Sequence, residues 1–170
     1  FILYEHVAFR KKSWITKNRI FDKSRKLPVD ITIPVNKKSS YKQIIDISIR
    51  NTDWKRVLLK QIYFNYKKAL YFEEVYPLLE KLINIENEKV HTYNSEIIKG
   101  VCSYLNITTR IKANNEEFLE LEKDLENSDL PQNEIKSARI IEICKNQNAD
   151  TYINPSGGTN LYNKPYFKRN

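Results

Sequence analysis

The chain has 170 residues, 41% of them hydrophobic, with 29 Lys and Arg against 21 Asp and Glu and a net charge of +8. A chain in the single-domain size range buries roughly 70% of its unfolded surface, so folding requires neither disulfides nor metal, and disorder is excluded. Lys, Arg, Asp, Glu or Asn interrupts every apolar run well short of the roughly 18 to 20 residues of a membrane span, which excludes a transmembrane helix.

Residues 1–9, with Tyr4, Val7 and Phe9, alternate in polarity, and residues 29–35 alternate more strictly; both read as strands. Gln43 to Ile49 reads as a third, with Ile45, Ile47 and Ile49 on one face. From Trp54 the period becomes helical, with Asp53 as a cap, and Phe72 to Asn84 forms a second helix through Val75, Leu78, Leu79 and Leu82. Asn87 to Leu105 reads as a third helix, followed by a short strand over Thr108 to Ile111. Residues 115–134 hold most of the acid and read as a short helix and a solvated loop. Ile135 to Asn146 is the last long helix, and Asp150 to Ile153 returns as a strand before the turn from Asn154 to Gly158. The expected class is α/β, one domain with a mixed sheet flanked by helices and no internal repeat.

Phe1 begins an apolar stretch with no basic leader, and the chain stops at Asn170 without a turn or cap, so trimming at both ends is expected. Cys102 and Cys144 fall in helical segments rather than at disulfide-framework spacings. That favours a reducing, cytoplasmic setting.

Between Arg10 and Lys26 stand eight basic residues and one acid, Asp22. Within this run Lys12, Trp14, Asn18 and Arg19 suit an anionic small molecule such as a nucleotide-linked sugar: guanidinium grips phosphate bidentately and an indole face stacks on a base or sugar. A solvated basic loop is the plain alternative. Nucleic acid is a weaker one, because the acid after residue 115 confines positive charge to part of the chain and no nucleic-acid motif appears. His6, at the end of a predicted strand, is a candidate general base or a partly buried structural histidine. Its neighbour Glu5 faces the other way along a strand, and His91, among Glu88, Lys89 and Asn94, reads as surface. Two isolated histidines and two isolated cysteines have no metal-ligand spacing, so neither metal nor cofactor is expected. Cys144 reads as a small core residue. Arg139 interrupts an apolar helix, so it either pairs with an acid or points a charge into a pocket. Gly157 and Gly158 follow the last predicted strand, where their amides would form an anion nest.

Taken together, Tyr4-Glu5-His6-Val7, Lys11-Lys12-Ser13-Trp14, Lys17-Asn18-Arg19-Ile20 and Thr32-Ile33-Pro34-Val35 resemble the WbqC-like family of bacterial proteins. The resemblance continues through Asn65-Tyr66-Lys67-Lys68-Ala69, Arg139-Ile140, Ala149-Asp150-Thr151-Tyr152-Ile153, Gly157-Gly158 and Tyr162, nearly end to end. Members often occur among surface-polysaccharide (O-antigen) biosynthesis genes. They usually begin with a Gln-Pro strand and a Gly-Tyr-Phe helix about 20 residues ahead of the position of Phe1, and commonly carry Arg where this chain has Lys17. The genomic setting implies modification of an activated or lipid-linked sugar, and acyl or aminoacyl transfer to a nucleotide-linked amino sugar is the favoured form; read from the residues, Lys12, Arg19 and Arg139 would bind phosphates, Trp14 would stack and His6 would be the base. A non-catalytic scaffold within the polysaccharide machinery is the alternative.

Overall fold

The computed structural model describes residues 1–10, 13–36, 42–113, 116–154 and 156–169. They fall into two compact units, residues 1–114 and residues 115–170. Helices and a sheet occur together, as the α/β reading expects.

In the first unit the longest pairing is an antiparallel hairpin, β1 (Lys17–Asp22) with β2 (Leu27–Thr32), in register from Lys17 opposite Thr32 to Asp22 opposite Leu27. Asp22 builds the tip: its Oδ1 accepts from the Ser24 amide at 2.9 Å, the Ser24 hydroxyl at 2.6 Å and the Arg25 amide at 3.1 Å. These bonds fold the chain back without glycine, and Lys26 takes up the left-handed conformation at φ 55°. The remaining pairing is by isolated bridges. Ile2 pairs in parallel with Lys112, whereas Ala8 with Gln43, Val35 with Ile49, and Ser48 with Lys89 are antiparallel. The expected strand over Gln43 to Ile49 is instead a 3₁₀ turn at Ile44–Asp46 between bridges. Residues 108–111 form no strand, and the bridge falls at Lys112.

Three helices complete this unit: α1 (Trp54–Tyr66), α2 (Phe72–Ile83) and α3 (Val90–Tyr104). Leu59 and Ile62 of α1 meet Ile83 of α2 in the core, with Leu58, Tyr66, Tyr76 and Leu79 packed around them. Asp53 makes no capping bond to the start of α1; its carboxylate takes the Arg56 guanidinium. Gly100 lets α3 approach α2, because a Cβ there would collide with the buried Leu82 side chain. The hairpin is fastened to the end of α1, where Tyr66 Oη accepts the Phe21 amide at 2.8 Å and Asn65 Oδ1 accepts the Lys23 amide at 2.9 Å. A strand pair that would be marginal alone is thereby held in one place.

The second unit contains α4 (Glu117–Glu126), α5 (Gln132–Asn146) and the short α6 (Lys164–Arg169). Phe118, Leu125 and Ala138 form its buried apolar set. No strand forms at residues 150–153, and Ser156–Leu161 is a 3₁₀ segment.

Candidate functional site

The first unit encloses a cleft of about 890 Å³. β1, β2 and the segment before them supply Trp14, Lys17, Asn18 and Asp30; α3 supplies His91 and Asn94; the N-terminal segment supplies Tyr4 and Glu5. Asn94 Nδ2 donates to the Ile15 carbonyl at 2.8 Å, joining α3 to the residues that lead into β1. That bond fixes two walls of the cleft against each other.

Trp14 and Asn18 line this space, and Arg19 is not among its lining residues. Arg19 extends its guanidinium over the Trp14 ring at 5.4 Å and donates from Nε to Asp30 Oδ1 at 2.8 Å. Lys17 Nζ lies 3.6 Å from the other Asp30 oxygen. The Arg19 hydrogen bond, aided by the charges of Arg19 and Lys17, holds the Asp30 carboxyl below the ordinary range, so it stays ionised and the two cations stay placed. Asn18 Oδ1 accepts the Arg19 amide at 2.8 Å. Lys12 lies outside the described residues.

Of the two histidines, His6 fits the buried alternative of the sequence reading, and His91 departs from the surface position expected of it. His6 is buried, 4% exposed, with its ring edge-on to Tyr4 at 6.3 Å, and it is not among the cleft residues. His91 is: its side chain is 10% exposed and its Nδ1 lies 3.3 Å from Oε2 of the buried Glu5. Nε2 lies 3.3 Å from the Thr92 hydroxyl. Tyr93, beside it, is fully buried with its hydroxyl donating to the Ile83 carbonyl at 2.9 Å, and burial pushes its phenol up to about 12. The signal for His91 lies in helical spacing. His91, Asn94 and Ile98 fall at i, i+3 and i+7, a single stripe of α3, and all three line the cleft. Reading His91 by its sequence neighbours alone hides that stripe.

Arg139 and the two glycines belong to the second unit. Arg139 donates from Nε and Nη2 to the two oxygens of buried Glu122, at 2.5 and 2.8 Å, which decides between the alternatives of acid partner and pocket charge in favour of the partner. Neither Gly157 nor Gly158 has a positive φ, so the backbone there lacks the alternating hand of an anion nest. A Cβ at Gly158 would meet the end of the exposed Asn154 side chain. Burial pushes the Cys144 thiol above its ordinary range, which disfavours a thiolate nucleophile. Among the described residues no group of three His, Cys, Asp or Glu side chains is placed to hold a metal ion, and no helix is long and apolar enough to cross a membrane.

The profile of the WbqC-like protein family matches residues 1–170. Among curated proteins, the Uncharacterized protein Rv1507c of Mycobacterium tuberculosis is 30% identical over 158 residues, 90% of this chain. The chain spans 61% of the length of that relative. No solved structure matches this chain.

Proposed function

The chain belongs to the WbqC-like protein family, and on that premise we propose that residues 1–114 carry the site of an acyl or aminoacyl transferase acting on a nucleotide-linked amino sugar in surface-polysaccharide biosynthesis. The observation that carries this reading is the His91–Glu5 pair, 3.3 Å apart, in the same cleft as Trp14, Lys17 and Asn18. It puts an imidazole, the side chain most often used as a general base, beside groups suited to a stacked ring and a diphosphate. In this reaction the sugar amine attacks the carbonyl carbon of an activated acyl donor. A carbon–nitrogen bond forms, the bond to the leaving group breaks, and the amine proton passes to His91 and on to the leaving group. Glu5, with Oε2 3.3 Å from Nδ1, faces the imidazole from the N-terminal segment. Trp14 stacks on the base or sugar, Lys17 and Arg19 meet the phosphates, and Lys12 belongs to the same basic run. His91 replaces His6 as the proposed base because it, and not His6, lines the cleft.

Asp30 favours a second reading, since it already occupies both Lys17 and Arg19. A site whose cations are paired within the protein also suits a non-catalytic module that docks an acidic partner. The test is a thermal-shift screen of nucleotide-linked amino sugars and single-stranded oligonucleotides at low and high salt, followed by His91→Gln. The enzyme reading expects a midpoint rise for one sugar class that survives salt. It also expects His91→Gln to keep that rise while losing transfer by about 10²-fold or more. Loss of binding together with transfer, or oligonucleotide binding alone, would reject it.

A further inference from the structure

Beyond the acceptor, the cleft speaks to the donor. Its inner walls are aliphatic: Ile15 before β1, Ile31 in β2, Ile33 beyond it, Leu58 in α1, and Ile97 and Ile98 in α3. Its volume, about 890 Å³, lies within the range of ligand cavities that combine an apolar interior with a few fixed polar groups. An aminoacyl donor brings an α-ammonium group that needs a carboxylate. The two carboxylates lining the cleft each face a side chain of the protein already, Glu5 toward His91 and Asp30 toward Lys17 and Arg19. A hydrocarbon chain makes no such demand and gains from every wall that it covers.

We propose that this cleft binds a fatty acyl chain, so that the donor in the proposed transfer is an activated fatty acid rather than an aminoacyl group. The assignment of the chain as donor rests on the transferase reading; its binding in the cleft does not.

The experiment titrates the intact protein with octanoate, decanoate and dodecanoate, each below its micelle concentration, by displacement of a fluorescent fatty acid. Affinity should rise with length, by up to roughly fourfold per added methylene while the chain remains inside the cleft. Ile98→Trp fills the interior from α3 and should flatten the series while melting like the parent. Should that variant fail to fold, Ile31→Trp does the same from β2. Equal binding of all three acids by the parent would overturn the proposal, as would a folded tryptophan variant that keeps the full length dependence. The two readings fail separately. Nucleotide-sugar stabilisation without fatty-acid binding removes the acyl cleft and leaves the transferase, whereas fatty-acid binding without any sugar response removes the transferase and leaves the acyl cleft.

Discussion

Tyr93 is the residue whose chemistry depends most directly on burial. Its ring packs edge-on to Trp54 at 5.7 Å, Lys55 Nζ lies 5.6 Å over it, and no part of it reaches solvent. Burial raises its phenol from 10.0 to about 12. The unfolded chain therefore loses this proton first as pH rises. The contribution is complete below pH 10 and is lost as pH climbs through about 12, by about 2 to 3 kcal/mol. Tyr93→Phe should be less stable than the parent at neutral pH, by about 1 kcal/mol, through loss of the bond to the Ile83 carbonyl. It should also show a flatter decline above pH 10. Urea unfolding at neutral and alkaline pH reads both effects, and parallel declines would exclude Tyr93 as the source. Residues of this kind were only partly legible. Tyr93 follows from helical period, but His91 and Glu5 meet across 86 positions of chain, a pairing that neither spacing nor composition encodes.

At the scale of elements, the helices are legible and the strands only in part: the expected strand over residues 29–35 overlaps β2 and the Val35 bridge, and the others do not form. Helices α1 to α3 and α5 lie within a few residues of the expected spans because apolar residues recur at three and four over each of them. β1 was hidden inside the basic run, since a two-stranded ribbon open to solvent needs no apolar alternation. The alternation of Ile45, Ile47 and Ile49 did report burial, for Ile47 is 1% exposed, but the backbone around it turns instead of pairing continuously. The α4–α5 contact illustrates a similar partial signal. Phe118, Glu122 and Leu125 share one buried face of α4, so Glu122 stands where an apolar residue would otherwise be, opposite Arg139. Arg139→Met should cost about 3 to 5 kcal/mol by stranding a buried carboxylate, whereas Glu122→Leu combined with Arg139→Met should recover most of that loss. Urea melts of the two variants decide it. A single variant within about 1 kcal/mol of the parent would mean that water screens the pair.

Over the whole molecule, charge is divided as sharply as structure. Residues 1–114 carry 22 basic and 11 acidic side chains, and residues 115–170 carry 7 and 10. The first unit is thus the anion-seeking part of the chain, and the question is whether it acts as a diffuse field or through placed groups. Trp14 and Asp30 hold the Arg19 side chain, by ring contact and ion pair, and Asn18 Oδ1 accepts the Arg19 backbone amide. Lys23 and Lys26 stand exposed at the hairpin tip. Arg19→Ala should therefore weaken binding of a nucleotide-sugar diphosphate by about 1.5 to 3 kcal/mol, against under about 1 kcal/mol for Lys23→Ala or Lys26→Ala. Salt sharpens the contrast. A placed guanidinium meets phosphate at contact distance, within a Debye length even at physiological ionic strength, whereas the influence of the tip lysines crosses water and is screened. Raising salt should therefore reduce the lysine losses toward zero while most of the Arg19 loss persists. Calorimetric titration of the three variants at low and high salt measures this directly. Equal losses that vanish together would assign binding to the net field of the first unit, and with it to the docking-module or nucleic-acid readings rather than to a transferase site.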